Sequence, residues 1–215
     1  KALTSLAFDG TNDNVDCGTT VGTSLGDNCN NFSIAMWVRP DTHGDNDGLF
    51  GIGDLGSTNG EYSLSFNGGR LYSRLNNNAH FKYFTYAAND VWAHVAVVFD
   101  GDAGIHKLFY NGVEQTTTSS GGVPAGSNID FDGLKTTIGV YFSSSNVYDG
   151  DLNDVRLYDI TLSNEQVASL YSRTFPITPK HWWKMDDSIQ GTATTTAADS
   201  GTGTTANGSL GSFDT

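Results

Sequence analysis

The stretch Tyr148-Asp-Gly-Asp-Leu-Asn-Asp-Val-Arg-Leu-Tyr-Asp-Ile-Thr-Leu-Ser-Asn-Glu-Gln-Val-Ala-Ser-Leu-Tyr171 couples a strand to a brief helical turn, and that order decides the fold class. Val155, Leu157 and Tyr158 supply β-forming side chains. Ser163 stands where an N-cap is needed, and Glu165 to Leu170 have the length of about one and a half helical turns. The segment reads as the closing element of an all-β domain.

Working outward, short alternating segments recur on both sides. Phe32, Ile34, Met36 and Val38 share one face at period two while Trp37 points the other way, which predicts a strand ended by Arg39-Pro40-Asp41. Leu3–Asp9, Leu49–Gly53, Glu61–Phe66, Arg70–Leu75 and Phe81–Tyr86 continue the pattern, with Asn67-Gly68-Gly69 as a hairpin signal. Trp92–Phe99 is almost continuously apolar and reads as a central strand paired with Ile105–Tyr110. Val113–Thr116, Lys135–Val140 and Leu152–Tyr158 complete a set that is too large for one open sheet and suits two packed ones. After Thr178-Pro179-Lys180, His181–Met185 looks like one more short strand, and the Thr-, Gly- and Ala-rich Asp186–Thr215 reads by composition as loop.

At 215 residues the chain is long enough for one substantial core. Its 26 Gly and its many Ser, Thr, Asn and Asp supply turns rather than long helices. The net charge is −13, with acidity concentrated in Asp and only Glu61, Glu114 and Glu165 among glutamates. Such a surface repels phosphate backbones and anionic headgroups, so nucleic acid is not an expected partner. No apolar run approaches about 18 residues, and no membrane insertion is expected. The absence of an initiator Met and of a basic-then-apolar start suggests a mature or excised fragment. Cys17 and Cys29 flank a Gly-, Thr- and Asn-rich stretch; a disulfide between them is expected to pin it and would imply an oxidising compartment, two plain thiols being the alternative.

With Trp92-Ala-His-Val-Ala-Val-Val-Phe-Asp-Gly101 and Leu108-Phe-Tyr-Asn-Gly112 upstream, the Tyr148–Tyr171 segment resembles the laminin G-like, concanavalin A-like jelly-roll family. The resemblance covers Leu3 to Leu170 and implies an antiparallel β-sandwich over residues 1–176. His181-Trp-Trp-Lys-Met-Asp-Asp187, Ala198-Asp-Ser-Gly201 and Asn207-Gly-Ser-Leu210 resemble the opening segment that such modules carry ahead of their Phe-Asp-Gly strand. Here the Phe8-Asp9-Gly10 strand comes first and that segment last. Residues 177–215 are therefore either the start of a next repeat in a tandem array or a permuted piece whose strand completes the same sandwich.

Catalytic chemistry finds little support. A retaining glycosidase needs two carboxyl groups about 5 to 5.5 Å apart, and the Glu-x-Asp-x-x-Glu pattern of related glucanases does not occur. No Gly-x-Ser-x-Gly elbow is present, and His43, His80, His94, His106 and His181 show no partner spacing for a triad or for zinc. The chain is not expected to be an enzyme. Calcium is a better match to Asp-rich turns, since it takes six to eight oxygens at about 2.3–2.6 Å. Three turns qualify: Asp9–Asp16, Asp41–Asp47 and Asp149–Asp154. The resemblance implies a structural Ca2+ held by Asp9, the Gly10 carbonyl and Asp154, with Asp13 and Asp149 in reserve. For ligand recognition, period two sets Tyr72 and Arg74 opposite Leu71 and Leu75; Tyr83, Tyr86, Tyr141 and Tyr148 could extend that strip and Asn76–Asn78 could rim it. The expectation is a calcium-stabilised carbohydrate-binding or adhesion module of an extracellular or surface protein, its partner a glycan or surface glycoprotein; a spacer repeat contacting neighbouring repeats is the alternative.

Overall fold

The computed structural model describes residues 5–53, 62–76, 79–140, 146–174, 176–186 and 195–213. In chain order the strands are β1 (Leu6–Asp9), β2 (Asn14–Asp16), β3 (Asn31–Pro40), β4 (Asp45–Ile52), β5 (Tyr62–Asn67), β6 (Arg70–Leu75), β7 (His80–Thr85) and β8 (Ala93–Asp100). They continue as β9 (Ile105–Tyr110), β10 (Val113–Glu114), β11 (Thr118–Ser119), β12 (Thr136–Ile138), β13 (Asp149–Tyr158), β14 (His181–Trp183), β15 (Thr196–Ala197) and β16 (Gly208–Gly211). Among the described residues two helices interrupt them, α1 (Thr20–Leu25) and α2 (Asn164–Ser172).

The strands form two antiparallel sheets. One is seven-stranded, in the order β1-β13-β3-β8-β9-β10 with β14 also on β13, and the other is nine-stranded, in the order β11-β7-β6-β5-β4-β12-β2-β16-β15. The core between them follows from period two. Phe32, Ile34, Met36 and Val38 of β3 are buried, as are Val95, Val97 and Phe99 of β8, Tyr62, Leu64 and Phe66 of β5, and Leu71 and Leu75 of β6. Each such side chain contributes about 1.5–3 kcal/mol through removal from water. The sandwich expected from the alternating segments is the one observed.

The outer face of the seven-stranded sheet is covered by α2. Ser163 caps that helix, accepting from the Gln166 amide while the Gln166 side chain accepts from the Ser163 amide. Leu162, Val167 and Leu170 then pack on Ala35, Ala96, Val98, Phe109 and Tyr158. Ala35 and Ala96 are paired across β3 and β8, and their small side chains let the helix approach the sheet.

The C-terminal segment is part of both sheets. Trp183 pairs with Val155, Trp182 with Arg156 and His181 with Leu157, whereas Leu6 to Asp9 pair with Leu152 to Asp149 of the same strand. Strands β1 and β14 thus lie along successive lengths of β13 and together make one edge. The Asp154 amide and the Asn153 side chain both donate to the Lys184 carbonyl at the junction. In the other sheet β16 pairs with β2, and Gly208 lies so close to it that a Cβ there would come within 2.1 Å of Val15 Cγ1. The composition of this segment reads as loop because its strands are short and are ordered by their partners rather than by their own propensity.

A buried carboxylate holds the segment in place. Asp199, with a side chain 2% exposed, accepts from His181 Nδ1 at 2.7 Å and from the amides of Trp182, Gly201 and Ala206 at 2.8 to 3.0 Å. Desolvation opposes its ionisation, but these donors outweigh it and keep the carboxyl below its ordinary pKa. On the far side His181 Nε2 lies 2.9 Å from Ser24 Oγ. The Ser24–His181–Asp199 order is that of a proton relay, yet the imidazole is wholly buried and the Ser24 hydroxyl donates to the Val21 carbonyl, so the arrangement works as a clasp between α1 and the tail.

The expected disulfide is not formed: Cys17 and Cys29 are both free and buried. Burial pushes the Cys29 thiol up to about 11 and raises Cys17 further, so both stay protonated at neutral pH. The stretch between them needs no covalent pin, because it contains α1. Gly22 of that helix is seated where a Cβ would fall 2.3 Å from the Phe131 carbonyl oxygen and 2.5 Å from that of Leu134.

Replacing Asp199 with Ala leaves several buried donors without an acceptor. The expected loss is about 3 kcal/mol of unfolding free energy, measured by urea denaturation, with near-ultraviolet signals from Trp182 and Trp183 reporting release of the tail.

Candidate functional site

Five side chains meet on the outer face of the nine-stranded sheet at β6 and β7. The register sets Tyr72 opposite Tyr83 and Arg74 opposite Phe81. Leu71, Ser73 and Leu75 fill the inner face of β6, so Tyr72 and Arg74 must project outward, as the alternation predicts. The Tyr72 and Tyr83 rings are 4.6 Å apart, Phe81 lies 6.0 Å from Tyr72 and 6.2 Å from Tyr83, and all three are half-buried. The Arg74 guanidinium lies 4.2 Å from the centre of the Tyr72 ring, and exposed Arg70 lies 4.8 Å from that of Tyr83. Arg74 Nη1 also donates to Ser65 Oγ, and Arg70 Nη1 to the Tyr72 hydroxyl at 3.4 Å. Beside this cluster the register continues through Ser65 and Ser63 to Gly48 and Gly51, a flank of small residues.

The underside of β6 is polar at one point. Ser73 Oγ lies 2.8 Å from His106 Nε2 and donates to the Tyr62 hydroxyl at 3.3 Å, all within the core. Burial drives the His106 pKa down to about 3, and His106 Nδ1 has no hydrogen-bond partner among the described residues. His94, on the outer face of the other sheet, is held down to about 4, again chiefly by burial, with its ring packed against Trp37 and Tyr171.

Of the residues expected to form the ligand strip, Tyr72, Arg74 and Tyr83 come together and two others do not. Tyr86 is buried with its ring 4.7 Å from Phe66, and Tyr148 is fully buried with its hydroxyl on the Asp151 carbonyl. Both belong to the core, because Tyr86 has the parity of Phe84 and Tyr148 lies between the sheets against Phe66. Tyr141 and the rim residues Asn77 and Asn78 lie outside the described residues. Arg70 and Phe81 are the additions, and each shares the parity of its neighbour in the strip.

The expected calcium ligands divide. Asp9 and Asp149 are register partners, the Asp9 amide donates to Asp13 Oδ2, and the Gly10 amide donates to the Tyr148 carbonyl. Asp154 is elsewhere: its carboxylate accepts from Arg156 Nε and Nη2 at 2.8 and 2.9 Å and from the Trp182 indole at 2.6 Å. The Asp9 end is rich in hard oxygen donors, and negative charge is crowded there. Desolvation, and then the charge of Asp149, raises the Asp41 pKa. The carboxylates are nevertheless turned to closing the chain, with Asp9 Oδ1 accepting from the Thr11 and Asn12 amides and Asp149 Oδ2 from Thr42. Among the described residues no three His, Cys, Asp or Glu side chains converge as a preformed ion cage.

The sequence pattern of the concanavalin A-like lectin/glucanases superfamily matches residues 9–168, and the chain belongs to that superfamily. No curated protein matches it in sequence. Among solved structures it is similar to a heptameric SAP-like pentraxin from Limulus polyphemus, with 17% identity and a TM-score of 0.61 over 79% of this chain and 82% of that one. It is also similar to the Ruminococcus gnavus IT-sialidase CBM40 bound to α2,3-sialyllactose, with 15% identity and a TM-score of 0.58 over 78% and 95%. A third is domain 4 of AbnA, an extracellular arabinanase from Geobacillus stearothermophilus, in complex with arabinotriose, with 21% identity and a TM-score of 0.53 over 78% and 76%. At these identities the likeness is one of fold.

The two depressed histidines set an acid limit on the scaffold. An imidazole whose folded pKa lies below its unfolded value of about 6.5 stabilises the fold fully above that value and less as pH falls toward the folded pKa. Melting temperature is expected to drop steadily between pH 6.5 and about 4, with His106→Gln flattening part of that fall. A melting temperature independent of pH across that window would show that neither imidazole is held neutral.

Proposed function

We propose that this chain is a non-catalytic carbohydrate-binding module that takes a glycan on the outer face of its nine-stranded sheet, within an extracellular or cell-surface protein. The observation that carries the reading is the outward cluster of Tyr72, Phe81 and Tyr83 with Arg70 and Arg74, on the sheet that α2 leaves uncovered. Aromatic side chains offer apolar area to sugar rings, and guanidinium and hydroxyl groups offer directional bonds to their substituents. Membership of a lectin and glucanase superfamily, and folds shared with a module bound to sialyllactose and a domain bound to arabinotriose, support the choice of ligand class. A glycan array tests it. Tyr83→Ala is expected to weaken the best-bound glycan by about tenfold, in line with the loss of one well-placed aromatic contact. Tyr86→Phe is expected to change nothing, since the Tyr86 hydroxyl is buried and has no partner among the described residues.

A spacer repeat without a ligand is the second reading, and the tail favours it, because a terminal segment completing an edge along β13 is what serial exchange between repeats would use. A silent array together with end-to-end association of the chain would decide for it.

Calcium enters the reading as a stabiliser of the Asp9 turn, apart from the glycan contact. Asp9, Asp13, Asp149 and the Gly10 carbonyl would hold it, at the cost of rearranging bonds the turn now makes. Millimolar calcium is expected to raise the melting temperature and a chelator to reverse the rise. Asp9→Asn should abolish that shift without altering glycan affinity, whereas a chelator-sensitive affinity would place the ion in the binding site instead.

A further inference from the structure

The seven-stranded sheet carries a second cluster on its outer face, at the end of α2. Trp37 of β3 and His94 of β8 are register partners with their rings 5.4 Å apart. The exposed Tyr171 ring lies 5.7 Å from that of Trp37, and the exposed Arg173 guanidinium lies 5.3 Å from the Trp37 ring centre. Trp37 Nε1 and His94 Nδ1 are both buried, and neither has a hydrogen-bond partner among the described residues. An indole N–H can only donate, so what Trp37 lacks is an acceptor. Leaving such a donor buried and unmet costs about 1–3 kcal/mol and calls for a reason.

Arg173 stands out as well. It ends α2 with φ 56°, a left-handed conformation that glycine takes at far less cost. Its charge complements the negative end of the helix, but that accounts for neither the strain nor the unmet indole. The His94 ring lies within the fields of Asp154, Arg156 and Arg173. Asp154 and Arg156 cancel in their two-bond pair, and Arg173 has no carboxylate partner among the described residues. The cluster therefore holds one uncompensated guanidinium over one neutral N–H donor, beside flat aromatic rings. That set suits a planar monoanion, whose two oxygens accept side by side from the two donors. Exposed side chains such as Tyr171 and Arg173 change rotamer in picoseconds to nanoseconds, so the indole N–H opens to a small ligand without backbone movement.

From this we infer that the cluster of Trp37 and Arg173 binds a small organic carboxylate, its oxygens held by the Arg173 guanidinium and the Trp37 indole N–H. The site is on the opposite sheet from the glycan cluster and stands independent of the carbohydrate-binding reading. Nitrogen–proton correlation NMR of the isotopically labelled chain tests it, because each of the four tryptophans gives its own indole signal. Trp37→Phe identifies the Trp37 signal by its loss. Benzoate and galacturonate are titrated against benzamide and the methyl ester of galacturonate as neutral twins, with inorganic phosphate as a further anion. At least one acid is expected to move the Trp37 indole proton downfield, and to leave in place those of Trp182 and Trp183, already bonded to Asp154 and Ala206. That acid should bind about tenfold more tightly than its twin, and which acid does so tells a sugar acid from a plain organic one. Arg173→Gly is expected to abolish the preference while the melting temperature stays level or rises, since glycine relieves the left-handed strain. An arginine serving only to end α2 would lower the melting temperature on substitution and leave the Trp37 signal indifferent to acids in the unsubstituted chain. A Trp37 signal that neither acid moves, or that the neutral twins or phosphate move equally, would overturn the assignment.

Discussion

Strand β13 lies inside a sheet, and every amide along both of its edges needs a partner. An amide left unpaired in apolar surroundings costs about 1–3 kcal/mol. One edge is met continuously by β3, apart from the bulge between Asn153 and Arg156. The other is met in two lengths, by β1 over Asp149–Leu152 and by β14 over Val155–Leu157. Neither length alone covers the strand. Asp154 sits at the junction in the left-handed region, with φ 58°, and there its carboxylate holds Arg156 and the Trp182 indole. The bulge therefore turns a gap in pairing into a ligature between β13 and the C-terminal segment.

The Asp199 clasp and the pairing of β16 on β2 follow from this constraint. Once β14 is required on β13, Trp183 enters the core beside Phe50, donating its indole N–H to the Ala206 carbonyl. The chain beyond it returns across to the second sheet. Asp199 makes that return rigid by gathering donors from His181 through Ala206 around one carboxylate. A segment that is polar and Gly-rich along its length can thus be as firmly placed as an apolar strand, because its order comes from satisfied hydrogen bonds rather than buried area.

The difference explains what could be read from the residues alone. Wherever apolar side chains alternate, as at Phe32 to Val38 and Arg70 to Leu75, the sequence shows both the strand and its inward face, and Ser163 with Gln166 marks the start of α2. The same parity rule places Tyr72, Arg74 and Tyr83 outside, and it also contains the answers for Arg70, Phe81 and Tyr86. Tyr148 is different: it precedes β13 in turn-like sequence, where parity is undefined, and only the approach of Phe8 and Phe66 buries it. Asp154 and the two cysteines fail for a related reason. Residue type and spacing suggest which chemistry is possible, whereas the bulge and the Gly22 contact that decide their partners arise from segments distant in the chain.

The two outer faces of the sandwich end up with opposite uses of the same residue type. On the seven-stranded sheet, Arg39 and Arg156 are each locked to an aspartate, and Arg173, at the C-cap of α2, lies over Trp37. Those guanidiniums close a surface that α2 already covers. On the nine-stranded sheet Arg70 lies over the Tyr83 ring and Arg74 over that of Tyr72. A ring engages a guanidinium by its face, whereas a carboxylate engages its N–H edge. Aromatic support therefore places two cations on one outer face of a strongly acidic protein.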